Sequence, residues 1–133
     1  MIQAEEGLYQ YVEIINNIIE LATEIQNKLN DGVKGYVFSA NTQDNYLKKE
    51  YKRLKDYINS LDFETIKVVQ TIMYIGKDGF EEVEGKCDYY KCRKKMDDNW
   101  NDNKTIEANQ ISNKGGVLAE FLVNGCKKIG LLI

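Results

Sequence analysis

Apolar residues recur at helical spacing through the first thirty positions. Tyr11, Ile15, Ile18, Ala22, Ile25 and Leu29 alternate steps of four and three, which sets them on one side of an α-helix. Leu8, Val12 and Ile19 widen the stripe, and Glu13, Glu20, Glu24 and Lys28 fall elsewhere. A face that broad suits a helix packed on a core. The spacing predicts a long helix over about residues 7–30, stopped at Asn30-Asp31-Gly32, because glycine accepts left-handed backbone at a helix end. Residues 31–41 break the period. Tyr36-Val37-Phe38 is too short to be a strand without a partner and reads as loop.

A second helix is expected from a cap at Asn41 or Thr42, with Asp44 near its positive end, to Asn59-Ser60. Its stripe is Leu47, Tyr51, Leu54 and Ile58. Asp62 is placed to cap a third helix, and Leu61 before it can staple to Ile66. Ile66, Val69, Ile72 and Met73, widened by Val68 and Ile75, make this the most apolar helix and the expected centre of the fold. Gly76 reads as its terminator, with Lys77-Asp78-Gly79 as a turn.

Phe80, Val83, Cys87 and Tyr90 step by three, four and three and predict a fourth helix, although Gly85 costs it about 1 kcal/mol relative to alanine. Residues 96–104 read as polar loop around Trp100. Thr105 to Ile111 forms a short helix, residues 113–116 a loop, and Val117, Leu118, Phe121, Leu122, Gly125 and Ile129 a last amphipathic helix. No internal repeat and no linker appears. The expected fold is all-α, a compact bundle of five or six helices in a single domain over residues 1–133.

Several segments of this pattern resemble a known family. The third helix ends Met73-Tyr74-Ile75-Gly76, followed by a charged residue, a turn and Phe80-Glu81-Glu82. The last third carries Thr105-Ile106-Glu107-Ala108 and then Leu118-Ala119-Glu120-Phe121-Leu122-Val123-Asn124-Gly125. This order is similar to that of small bacterial helical proteins catalogued as domain of unknown function 3775. The resemblance spans most of the chain and implies a helical fold. It brings no activity, cofactor or site residue with it.

Composition narrows the chemistry. The 133 residues contain no His, which removes Ser-His-Asp and Cys-His hydrolysis and HExxH zinc sites. They also contain no Pro, which favours uninterrupted helices. Net charge is −3, too mild for a polyanion binder. Cys87, Cys92 and Cys126 are an odd number and read as reduced structural thiols. The acidic start lacks the apolar core of a secretory signal, and no apolar run approaches a membrane span. The expected location is cytoplasmic, with no membrane association. Phosphate-cradling glycine loops are absent as well.

Three features remain as candidate chemistry. Glu81, Glu82, Glu84 and Asp88 cluster on the predicted fourth helix, where Glu84 and Asp88 would share a face able to hold a divalent cation for hydrolysis. Acidic residues serving only a helix start explain them better. Two basic segments come next. Lys48, Lys49, Lys52, Arg53 and Lys55 face Asp44, Glu50 and Asp56, and Lys86, Lys91, Arg93, Lys94 and Lys95 face Asp88 alone. With Tyr89, Tyr90 and Trp100 nearby, segments 48–55 and 86–95 could grip a phosphate backbone and stack bases. Arg53 and Arg93 are the chain's two arginines, few for such a role. Solvated lysines, or pairing with Glu81–Glu84, is the plainer account. The third feature is the nine tyrosines, a residue type enriched at interfaces, although tyrosines lining the edge of the core with hydroxyls in water are the plainer account.

The function these features favour is a non-enzymatic cytosolic protein-interaction module, with no cofactor and no metal. Its partner would be another protein or a second copy of itself. An inhibitor or regulator of a larger machine, of bacterial or phage origin, is one form of it. The candidate surface is Tyr89, Tyr90, Arg93, Lys94, Lys95 and Trp100, with Lys49, Lys52 and Arg53. The alternative is a small nucleic-acid-associated regulator working through the two basic segments.

Overall fold

A computed structural model describes residues 6–33, 40–131 and 133, with side chains at 7–29, 48–131 and 133. Its described residues form helices α1 (Glu6–Tyr9), α2 (Val12–Val33), α3 (Ala40–Asn59), α4 (Phe63–Asp78), α5 (Tyr89–Met96), α6 (Lys104–Ser112) and α7 (Gly115–Lys128). The all-α fold expected from the pattern is therefore what the chain adopts. The first predicted helix divides at Gln10–Tyr11, and α2 continues through Val33, beyond the stop expected at Gly32. Of the expected loop 31–41, residues 31–33 and 40–41 are thus helical, and Tyr36-Val37-Phe38 lies outside the described residues. Helix α3 already begins at Ala40, so Asn41 and Thr42 lie inside it rather than capping it, and the side chain of Leu47 lies outside the described residues.

The stripes behave as their spacing requires. Ile15, Ile18, Ala22 and Ile25 of α2 are fully buried, as are Leu54 and Ile58 of α3. Each large side chain of this kind contributes about 1.5–3 kcal/mol when removed from water. Helix α4 is buried almost all round, and α7 packs against it and against α2. Asp62 caps α4, accepting the Thr65 backbone hydrogen at 2.7 Å.

Gly76 does not end α4. The helix runs on to Asp78, and Gly79, at φ 74°, takes the capping conformation. Gly76 is needed for a different reason. A β-carbon there would overlap the carbonyl oxygen of Phe121 and lie 2.7 Å from the nitrogen of Gly125. One on Gly125 would overlap the carbonyl of Ile72 and come within 2.8 Å of its Cγ2. The two glycines let the α4 and α7 backbones touch. Gly115 and Gly116, expected in a loop, open α7 instead. There a β-carbon on Gly115 would meet the Tyr51 hydroxyl at 2.7 Å and one on Gly116 would meet Leu29 Cδ1 at 2.8 Å, so both glycines lie against side chains rather than in a turn.

The predicted fourth helix over 80–90 is the main correction. Val83 and Lys86 exchange backbone hydrogen bonds at 2.9 and 3.0 Å across a tight turn at Glu84-Gly85. Glu81, Glu84 and Gly85 have φ of 44°, 52° and 77°, backbone that no α-helix accommodates. Val83 is 70% exposed while Cys87 is 1% exposed, so the apolar spacing marked no common face. The helix begins only at Tyr89, because Asp88 caps it by accepting from Tyr90 and Lys91. Positive φ at both central positions is the geometry of a hairpin turn in which Asn-Gly is preferred. Glu84→Asn should therefore raise stability by about 0.5–1 kcal/mol in urea unfolding; an unchanged midpoint would contradict a left-handed Glu84.

Candidate interaction surface

Helix α5 packs on α4 through Tyr89 and Cys92, both buried. Arg93, one turn beyond Tyr89, is the centre of a polar clamp. Its Nη1 and Nη2 donate to the two carboxylate oxygens of Glu64 at 2.8 and 2.9 Å, a bidentate pair between α5 and the start of α4. Its Nε donates to Asp97 at 2.7 Å, and Nη1 also to the Tyr89 hydroxyl at 3.2 Å. Asp97 in turn accepts from Trp100 Nε1 at 2.6 Å. Only 15% of the Arg93 side chain remains exposed.

The clamp moves the acidity of its members in consistent directions. The hydrogen bond from Arg93 holds the Glu64 carboxyl below its usual range, against a smaller opposing effect of burial. At Asp97 burial is the largest influence and acts upward, but the bonds from Arg93 and Trp100 together outweigh it and the carboxyl is lowered. Burial pushes the Tyr89 phenol up to about 12.

The sequence-predicted surface thus separates into two groups. Tyr89 is buried, and Arg93 is neutralised within the molecule, as Trp100 is tied to Asp97. Tyr90, 46% exposed, stands edge-on to the buried Tyr89 ring, with centroids 5.0 Å apart. Lys94 and Lys95 are exposed beside it, and the Lys95 ammonium lies 5.6 Å from the Phe80 ring centroid. The second segment is elsewhere, on α3, which packs on α2 and α6. There Lys49 is exposed, Lys52 pairs with Asp56 at 2.6 Å, and Arg53 pairs with Glu24 at 3.2 Å. Both arginines of the nucleic-acid alternative are therefore engaged within the chain.

The carboxylate cluster loses its geometric premise. Glu84 and Asp88 share no helix face, Asp88 serves as a cap, and Glu82 pairs with Lys128 at 2.9 Å rather than with the basic segment. No cluster of three potential ligands able to hold a metal ion occurs among the described residues. Cys87, Cys92 and Cys126 are free and buried, and burial pushes the Cys92 thiol up to about 11 and the Cys126 thiol up to about 12. Thiols held protonated react slowly. Ellman's reagent should leave all three unmodified in the native protein and titrate all three in urea; rapid native labelling would contradict this burial.

One feature escaped the sequence. Between α4, α5 and α6 lies an open cleft of about 680 Å³, with Tyr74, Phe80, Met96 and Trp100 among its walls and Lys95 beside them. Its lining residues come from segments as far apart as Gln70 and Gln110. Comparison with protein-family models, with curated proteins and with solved structures finds no match in any of the three. No described helix is long and apolar enough to cross a membrane.

Proposed function

We propose that the protein is a non-enzymatic interaction module that binds a protein partner through the exposed edge of α5. The observation that carries this reading is Tyr90, a half-exposed aromatic ring set against a buried tyrosine. The Arg93 clamp fixes the helix beneath it. A ring held this way surrenders little conformational freedom on binding, and tyrosine is favoured at interface anchors for that reason. Lys91 and Lys94, exposed on the same helix, would orient an acidic partner surface. Action in the cytoplasm as an inhibitor or regulator of a larger machine, in a bacterial or phage setting, fits this reading.

Capture from the native host with the wild-type chain and with Tyr90→Ala, run in parallel, tests the surface. A species retained by the first and lost from the second supports it. Equal retention by both moves the interface away from α5, and no retained species removes a stable partner. Light scattering of the same pair reports whether the partner is a second copy. Since Arg53 and Arg93 are already paired, a gel-shift assay should show no DNA or RNA retardation at low salt. Retardation that weakens steeply with salt would favour the nucleic-acid alternative instead.

A further inference from the structure

Two of the most deeply buried polar side chains among the described residues line the cleft beside α5. Gln70 on α4 is 2% exposed and Glu107 on α6 is 4% exposed. The Nε2 of Gln70 donates to Gln110 Oε1 at 3.0 Å, and its own Oε1 receives no hydrogen bond among the described residues. Glu107 accepts the backbone hydrogen of Asn101 at 3.1 Å on Oε2 and forms no ion pair among the described residues. A buried carboxylate without a counter-charge and a buried acceptor without a donor each cost free energy. Gln70 Oε1 lacks a donated hydrogen, and the Glu107 carboxylate, though bonded to Asn101, lacks a positive charge.

The walls have matching chemistry. Trp100 and Phe80 already draw ammonium groups, with Lys67 Nζ 5.9 Å from the Trp100 centroid and Lys95 Nζ 5.6 Å from that of Phe80. Aromatic faces attract cations and flat apolar bodies alike. A volume of about 680 Å³ lies within the range of small-molecule sites. Lys95 disfavours a second positive charge on whatever enters.

We propose that this cleft binds a small organic monocation, an amine or amidine on a flat apolar body. Its N–H groups donate to the Glu107 carboxylate and to Gln70 Oε1, and its body lies against Phe80, Tyr74 and Trp100. The site is independent of recognition through Tyr90. The cation arrives either as a free amine or as a side chain on another polypeptide, and the chemistry that recognises it is the same.

Calorimetry on the full chain with benzamidine, neutral benzamide and benzoate tests the proposal, and Trp100, the chain's single tryptophan, reports occupancy of the cleft by fluorescence. Benzamidine should bind at least about tenfold more tightly than benzamide, with benzoate weaker still. Glu107→Gln keeps an oxygen for the Asn101 hydrogen and removes the charge, so benzamidine should fall to the benzamide level. Lys95→Gln, at an exposed position, should tighten benzamidine severalfold. Equal binding of benzamidine and benzamide would overturn the proposal, as would undiminished benzamidine affinity in Glu107→Gln or unchanged affinity in Lys95→Gln. An acetylated Gly-Arg-Gly amide separates the sources. Tighter binding than benzamidine assigns the cation to a polypeptide and weaker binding to a free amine, and either keeps the site.

Discussion

Gly76→Ala should lower stability by about 3 kcal/mol, or about 10 °C in thermal midpoint. Helix propensity alone predicts the opposite sign, a gain of about 1 kcal/mol on replacing a mid-helix glycine. Contact decides the outcome. The added methyl group overlaps the Phe121 carbonyl and approaches the Gly125 nitrogen at 2.7 Å, and both are backbone atoms of α7 with no rotamer to yield. Relief requires α7 to move away from α4, opening the most extensive helix pair in the fold. Gly125→Ala meets the Ile72 backbone in the same way and should cost a similar amount. Gly7→Ala is the control, since a β-carbon there meets nothing within 4 Å, and it should leave the midpoint unchanged or slightly raised. Urea unfolding of the three variants separates these outcomes. A Gly76→Ala protein as stable as the wild type would show that α4 and α7 are not in backbone contact.

Arg93→Met should cost about 2 kcal/mol and flatten the acid limb of the stability curve. Methionine preserves much of the aliphatic packing but removes the guanidinium donors to Glu64, Asp97 and Tyr89, leaving Asp97 its bond from Trp100. The cost stays below that of a fully buried pair because Glu64 and Asp97 remain about half exposed, with side chains 57% and 48% accessible, and water screens them. The sign with pH follows from the carboxylates. Both are lowered in the folded protein from ordinary values of 4.5 and 3.8. Their contribution is complete above those unfolded values and is lost as pH falls through the lower folded ones. Wild-type stability should therefore drop between neutrality and strong acid more steeply than that of Arg93→Met. Parallel acid limbs would mean that Arg93 exerts no hold on the two carboxyls.

Local pattern and long-range contact divide what the amino-acid order reveals. The stripe through Ile15, Ile18, Ala22 and Ile25 and the cap at Asp62 are short-range features, and the structure places both as expected. Gly76 was readable as special but not as a contact, because its reason lies about fifty positions downstream at Phe121 and Gly125. The same distance problem hides the Arg93–Glu64 pair, whose members are 29 residues apart, and turns an apparent basic patch into a clamp. Residues 80–90 fail for the opposite cause. Helical spacing held by accident, and the positive φ of Glu81 and Glu84 leaves no trace in residues that seldom adopt it. The cleft was invisible because its floor pairs Gln70 with Gln110 and joins Glu107 to the chain at Asn101.

The glycine seam between α4 and α7 also governs how the molecule can move. Two main chains in direct contact offer no side chain to hop between wells, so the pair has one register and acts as a stiff beam. Motion is left to elements outside this pair, with α5 pinned to the start of α4 by Arg93. In deuterium exchange, amides of α4 and α7 should open only with global unfolding, while those of α6 open earlier by sub-global excursions. Adaptation to a guest would then be a shift of α6, with Glu107, against an unyielding spine.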